Sequence, residues 1–383
     1  MKIRLLVLLF AGLGLTSCSV MSPQKVKYNS KTMDRAYIGT YTKKEGHVDG
    51  KAAGILHVNI NRQSGEITNI YTVASVINPS FVRLSPDGRF LFAVSELGPG
   101  DGDSGFIYSF KAEKDGSLKE VSRLSTEAYA PAHIEVDKTG SLVFVSNYSG
   151  GVVMVYGVKE DGSLERKQRI DLENPDQSHA HSLTVSPDNT MAYIADLGND
   201  RIWIYNLNVE EGILKPASRP YLQLEKGAGP RHFTISSDGR FAYSMNELNS
   251  SVSVFRILGD GSLEIKHTIS SLPEDFSGKN SGADIWLHPT GQWLYVSNRG
   301  HNSIALFDVN KETGDLEAKN YTSTAGKTPR AFSVSSDGIY LYVANQDSDD
   351  ISVFTIDESS GDLKIISRPS PVPTPVRIEL VRN

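Results

Sequence analysis

The sequence predicts an all-β fold, a seven-bladed β-propeller whose ring is closed by a C-terminal strand, and three observations carry that prediction. The first is a repeated phrase. Pro79-Ser80-Phe81-Val82-Arg83-Leu84-Ser85-Pro86-Asp87-Gly88, then an apolar run ending Val94-Ser95-Glu96, returns as Pro131-Ala132-His133-Ile134-Glu135-Val136 with Gly140 and Val145-Ser146-Asn147. It returns again as His181-Ser182-Leu183-Thr184-Val185-Ser186-Pro187-Asp188 with Ile194-Ala195-Asp196, and further copies start at Pro230-Arg231-His232, Ala283-Asp284-Ile285 and Pro329-Arg330-Ala331. The turn positions 88, 140, 189, 239, 291 and 338 lie 47 to 52 residues apart, and a period of ~50 residues with four strand-like segments is that of a propeller blade. The second observation is a hairpin signal inside the copies: Asp115-Gly116, Asp161-Gly162, Asp260-Gly261, Gly314-Asp315 and Gly361-Asp362. The third is that the two chain ends hold complementary fragments of one more blade.

Each element has a local reason. In the copy that starts at His133, residues His133 to Val136 alternate and read as an innermost strand, and Lys138-Thr139-Gly140 is a turn. Leu142 to Val145 is a second strand, Asn147 to Gly150 a connection, and Val152 to Tyr156 a third strand. Asp161-Gly162 then supplies the positive φ that a tight hairpin needs, and a polar fourth strand follows. At the N-terminal end, Ala36 to Tyr41 matches a second strand, Gly54 to Val58 a third and Ile67 to Val73 a fourth, with no first strand before them. Pro375 to Leu380 has the first-strand pattern and nothing after it. Pairing these ends removes two open sheet edges and makes residues 35–383 one ring and one domain. Phe92, Phe144, Tyr193, Tyr243, Tyr295 and Tyr342 fall on second strands and are expected to pack between blades.

The chain has 383 residues and a net charge of -6, so a nucleic-acid partner is not indicated. Residues 1–18 differ in character. Lys2 and Arg4 precede an apolar stretch from Leu5 to Leu15 that meets Thr16-Ser17-Cys18. This is too short to span a bilayer and fits a secretory signal. Its Leu-Thr-Ser-Cys end resembles a bacterial lipobox, which implies that Cys18, the sole cysteine, is lipidated and becomes the first mature residue. A plain signal peptide is the alternative. Residues 19–34 read as a polar tether, and the expected location is exported and membrane-anchored, at the periplasm or cell surface.

Strand direction alternates within an up-and-down blade. The start of strand one and the end of strand two therefore share one face of the ring, and strand one lines the channel. This selects Phe81, His133, His181, Arg231, His232, Asp284, Arg330 and Arg377 before or at strand one. After strand two it selects Thr40, Glu96, Asn147, Asp196, Asn246, Glu247, Asn298, Arg299, Asn345 and Gln346. The opposite face receives the Ser-Pro-Asp-Gly turns, which turn chemistry explains. Asn147, Asn298 and Asn345 are expected to cap strands and tie blades. Arg231, Arg299 and Arg330 are different, because cations that converge on one opening repel unless an anion joins them. His47, His57, His267 and His288 are expected away from the mouth, and His301, near Arg299, is left open.

Gly229-Pro230-Arg231-His232, Asn246-Glu247-Leu248-Asn249-Ser250-Ser251-Val252, Ala283-Asp284-Ile285 and Thr328-Pro329-Arg330 resemble the signatures of the seven-bladed lactonase family, which includes propeller-type 6-phosphogluconolactonases and carboxy-cis,cis-muconate cyclases. The likeness runs over roughly residues 36–381. By that resemblance His181, Arg231, Glu247 and Arg299 match residues implicated in the cyclase branch and are the candidate catalytic set. His133, His232, Asn246, Asp284 and Arg330 are candidate substrate-binding groups. The implied substrate is a small anionic or sugar lactone, with no cofactor and no metal. Lactone hydrolysis needs a water, a base and positive charge at the developing oxyanion. Glu247 or His181 is the candidate base, Glu247 having arginine positioning as its other role, while Arg231 and Arg299 supply the charge. A lactone-forming cyclase and a non-enzymatic binding propeller are the competing readings. The absence of a Gly-x-Ser-x-Gly motif argues against a serine hydrolase.

Overall fold

The computed structural model describes residues 32–381. Seven sheets form the blades, six of them four-stranded and one five-stranded, with a separate two-stranded hairpin. The residues 1–18 signal, Cys18 and nearly all of the tether lie outside the described residues.

The ends close the ring as the sequence predicts. Pro375–Leu380 is the innermost strand of the sheet that continues with Met33–Thr40, Ile55–Asn61 and Ile67–Ala74, with Ile378 paired to Ile38. Ile38 and Ile378 are both fully buried, so closure secures apolar surface as well as a hydrogen-bond ladder. The hairpin Lys44–Glu45 and Val48–Asp49 belongs to no blade. It lies between the second and third strands of this sheet, an insertion that the repeat does not announce.

The predicted aromatics lie between blades. Phe92, Phe144, Tyr193, Tyr243, Tyr295 and Tyr342 are all fully buried. Three tyrosine hydroxyls each donate to the turn glycine of the next blade: Tyr193 to Gly261 at 2.9 Å, Tyr243 to Gly314 at 3.0 Å and Tyr295 to Gly361 at 2.7 Å. Gly314 shows why that turn needs glycine, since its φ is +75° and a Cβ there would lie 2.4 Å from the Phe241 ring. The Ser-Pro-Asp-Gly turns lie at the other end of the channel and are closed by local bonds, such as Ser85 Oγ to Asp87 at 2.6 Å and Phe90 N–H to Ser85 Oγ at 3.0 Å.

The first strands differ from expectation in one consequential way. In the copy used above, the strand does not start at His133 but runs from Tyr129 to Val136, and its pairing slips between Pro131 and His133. Equivalent slips fall between Ala180 and Ser182, Pro230 and His232, and Pro329 and Ala331. The residues left out of the ladder are His181, Arg231 and Arg330. A bulge of this kind re-aims a side chain that regular alternation would send elsewhere, and here it places three candidate residues at one mouth.

Candidate active site

The site is built from two rings of positions. One consists of the bulge residues. The other is the residue that follows Thr40, Ser95, Asn147, Asn246 and Asn298 near the end of strand two: Tyr41, Glu96, Tyr148, Glu247 and Arg299 in their respective blades. The Asn that precedes three of these is a strand-end lock. Asn147 Nδ2 donates to Val152 O at 3.1 Å, Asn246 Nδ2 to Ser251 and Ser253 at 2.9 Å each, and Asn298 Nδ2 to Ser271 O at 2.8 Å. Locking these residues points the next side chain toward the channel.

Glu247 joins the two rings. Its Oε2 lies 2.9 Å from Arg231 Nε and its Oε1 2.9 Å from Arg299 Nη2. Both contacts are ion pairs, and Arg231 Nε is buried with no hydrogen-bond partner among the described residues. Arg231 Nη1 donates to Ala283 O at 2.7 Å, and Arg299 Nη2 also donates to Gly282 O at 2.9 Å. These bonds leave Arg231 Nη2 and Arg299 Nη1 without a protein hydrogen bond among the described residues. Arg330 Nη2 donates to the Tyr41 hydroxyl at 3.1 Å. That hydroxyl donates to Glu96, whose two oxygens are 2.9 Å away, and Ser80 also donates to Glu96.

Three arginines against Glu247 and Glu96 leave one positive charge in excess. Burial, then Arg299, push Arg231 down to about 9, although Glu247 opposes this. A guanidinium stays protonated at neutral pH even so, and the direction shows an under-compensated cation. Burial and Arg330 also lower Arg299. Burial opposes the charge on Arg330, but Tyr41, Glu96 and Glu247 outweigh it and raise it. For Glu247 burial favours the acid form, and Arg299, Arg231 and Arg330 reverse that and hold it below the usual carboxylate range. Burial and Arg231 hold His181 well below its ordinary value, so the ring is neutral, and its Nδ1 is buried without a hydrogen-bond partner among the described residues.

Beneath this layer the channel holds His133 and His232. The His232 ring centroid is 5.5 Å from that of His133 and 5.3 Å from that of His181. His232 Nδ1 donates to Asp284 at 2.7 Å, which leaves Nε2 as the acceptor facing Arg231 Nη1 at 3.4 Å. Burial and Arg231 lower His232 to about 4.

The structure revises several of the expectations. Asp284 is 2% exposed and fully engaged by His232, Ile285 N–H and Phe332 N–H. It positions His232 and ties its own blade to the blades on either side; it does not reach the mouth as a substrate ligand. Asn246 is fully buried and serves as a strand-end lock, not a substrate contact. His133 and His232 sit one layer below the mouth, where His133 packs on Phe81 at 4.5 Å. His47 was expected elsewhere, yet the inserted hairpin brings it to the mouth. Its ring is 5.3 Å from Tyr41, and burial and then Arg330 lower it. Tyr148, read as part of a connection, ends strand two in the register of Glu247 and Arg299, and aligning the copies on their Asn would have found it. Of the residues left aside, His301 packs on Phe276 at 4.7 Å, and Arg377 lies over Phe81 at 4.5 Å in the lower channel. A cavity of about 680 Å³ opens at the far end, lined by Arg83, Glu135, Trp286 and Glu379, away from the arginine–glutamate cluster.

The family described as lactonase, 7-bladed β-propeller, matches residues 35–380. The chain belongs to the lactonase family of seven-bladed β-propellers. A 6-phosphogluconolactonase of Formosa agariphila is 33% identical over 314 residues, covering 79% of this chain and 86% of the relative. A 6-phosphogluconolactonase of Bacillus subtilis is 29% identical over 305 residues, covering 77% of this chain and 83% of the relative. Among solved structures, a periplasmic gluconolactonase of Pseudomonas aeruginosa superimposes with a TM-score of 0.85 at 33% identity, covering 92% of this chain and 99% of that one.

Proposed function

We propose that this chain is an exported enzyme that hydrolyses a small sugar-type lactone at the arginine-lined mouth. The observation that carries the reading is Glu247 bridging Arg231 and Arg299 at 2.9 Å each beside a neutral His181. Relatives named 6-phosphogluconolactonase and gluconolactonase support the substrate class. In this reading His181 takes the proton of an attacking water. The free N–H groups of Arg231 and Arg299 receive the carbonyl oxygen as it becomes an oxyanion, where fixed donors act most strongly. Glu247, ion-paired to both arginines, serves to hold them in place, which leaves the neutral His181 ring as the proton acceptor. Arg330 and Tyr41 bind hydroxyls or an acidic substituent at the other side of the mouth.

Cys18 is proposed as the lipid attachment site, with 1–18 as the signal and 19–34 as the tether; the periplasmic location of the Pseudomonas relative supports export. Unchanged membrane fractionation of Cys18→Ala would remove the anchor. The enzymatic reading is tested by following acid release at constant pH with gluconolactone, 6-phosphogluconolactone and muconates as substrates. Arg231→Ala and Arg299→Ala are each expected to lower turnover by roughly 10²–10³. Full activity in folded Arg231→Ala, Glu247→Ala and Arg299→Ala would sink the assignment.

A further inference from the structure

Tyr148 occupies the position in its blade that Glu247 and Arg299 occupy in theirs, one residue past the strand-end asparagine. It is held rigidly. Its ring stacks on His179 with centroids 4.2 Å apart and planes 2° from parallel, and meets His181 edge-on at 5.8 Å. His179 is itself fixed at two points, by Nδ1 to Tyr148 O at 3.0 Å and by its backbone N–H donating to Asp196 at 2.8 Å. Asp196 is fully buried and is also bonded by Ser178 and Trp203. The Tyr148 hydroxyl has no hydrogen-bond partner among the described residues. Burial and Glu247 raise it above its ordinary value, with Arg231, Arg299 and Arg330 in electrostatic reach, so it keeps its proton at working pH.

We propose that Tyr148 touches the lactone and donates its phenolic proton to the ring oxygen as the ring opens, with His179 as the residue that positions it. This rests on the lactonase reading. Water loses a proton to His181 and its oxygen bonds to the carbonyl carbon, whose π pair moves onto the oxygen facing Arg231 and Arg299. When the carbonyl re-forms, the bond from carbon to the ring oxygen breaks, and that oxygen takes the Tyr148 proton. The His181 imidazolium returns its proton to the phenolate, directly or through one water. The new carboxylic acid gives its own proton to solvent, so the sum is lactone plus water to hydroxy carboxylate plus one proton.

The test is Tyr148→Phe in the full chain, which keeps the stacked ring and removes only the hydroxyl. kcat and KM are measured on glucono-δ-lactone, whose leaving oxygen is an alkoxide, and on dihydrocoumarin, whose leaving phenolate needs no proton. Expected is a kcat loss of about 10²-fold on gluconolactone, in the range of general acid catalysis, with KM nearly unchanged and a much smaller loss on dihydrocoumarin. His179→Ala should show the same dependence on leaving group in weaker form. Full gluconolactone turnover in Tyr148→Phe, a loss confined to KM, or equal losses on both lactones overturns the inference alone. A native chain inactive on every lactone overturns the lactonase reading and this inference with it.

Discussion

Replacing Glu247 by Gln keeps shape and a hydrogen-bond acceptor but removes the charge that joins two buried arginines. Arg231 is 3% exposed and lies 2.9 Å from the carboxylate, as does Arg299. Stranding one partner of a buried pair costs about 3–5 kcal/mol. The Glu247 side chain is 21% exposed, so solvent screens part of this, and about 2–3 kcal/mol is the expected loss. For roughly 350 folded residues the unfolding entropy is about 0.7 kcal/mol/K, which converts the loss to a Tm drop of ~3–4 °C. The same change leaves the arginines seeking an anion. Phosphate present at about a hundred times its Kd would return about 2.7 kcal/mol. Scanning calorimetry of native and Glu247→Gln protein, with phosphate or chloride at equal ionic strength, reads both effects. A variant that melts with the native protein, or one that chloride rescues as well as phosphate, would refute the charge-bridge argument.

Two further outcomes follow from the channel and the blade contacts. Burial holds His133, His181 and His232 below their ordinary value. Below pH ~6.5 the unfolded chain therefore gains protons that the folded one refuses, and stability falls as pH drops from about 6.5 toward 4. His232, at about 4, accounts for about 3 kcal/mol at the acid limit. Urea unfolding across this range should show the slope, and His133→Phe, which keeps a ring against Phe81, should flatten it; a flat native profile contradicts the argument. Gly314→Ala forces a side chain into positive φ against the Phe241 ring. It should cost at least 1–2 kcal/mol, read in the same urea experiment, and an unchanged midpoint would contradict the contact.

The ring was legible in the sequence because a repeat copies its punctuation along with its strands. Turn residues at 88, 140, 189, 239, 291 and 338 and complementary ends leave few ways to close the sheet. The mouth was legible in outline for a related reason: strand direction alone decides which ends meet, and it selected Arg231, Glu247, Arg299 and Arg330 from afar. Two things were hidden. One is the bulge. Period-two alternation assigns faces only where the ladder is unbroken, and the slip at Arg231 leaves no signal in residue type. The other is His47, carried by a hairpin absent from the other blades, whose place depends on Asn78 accepting Thr42 and Lys43 N–H groups at 3.0 and 3.1 Å. Asn246 and Asp284 were misread in a third way, because a polar side chain near a mouth looks the same on paper whether it serves the ligand or the scaffold.

The strand Met33–Thr40 carries the chain to Thr40 and Tyr41 at the arginine-lined mouth, so its other end, near Thr32, emerges on the far side, where Asp34 borders the lower cavity. A leash running back to a lipid on Cys18 would then pull from the floor of the disc. An anchor proposed at Cys18 would therefore be joined to the ring on the side opposite the arginine-lined mouth, and the mouth would stay clear of it.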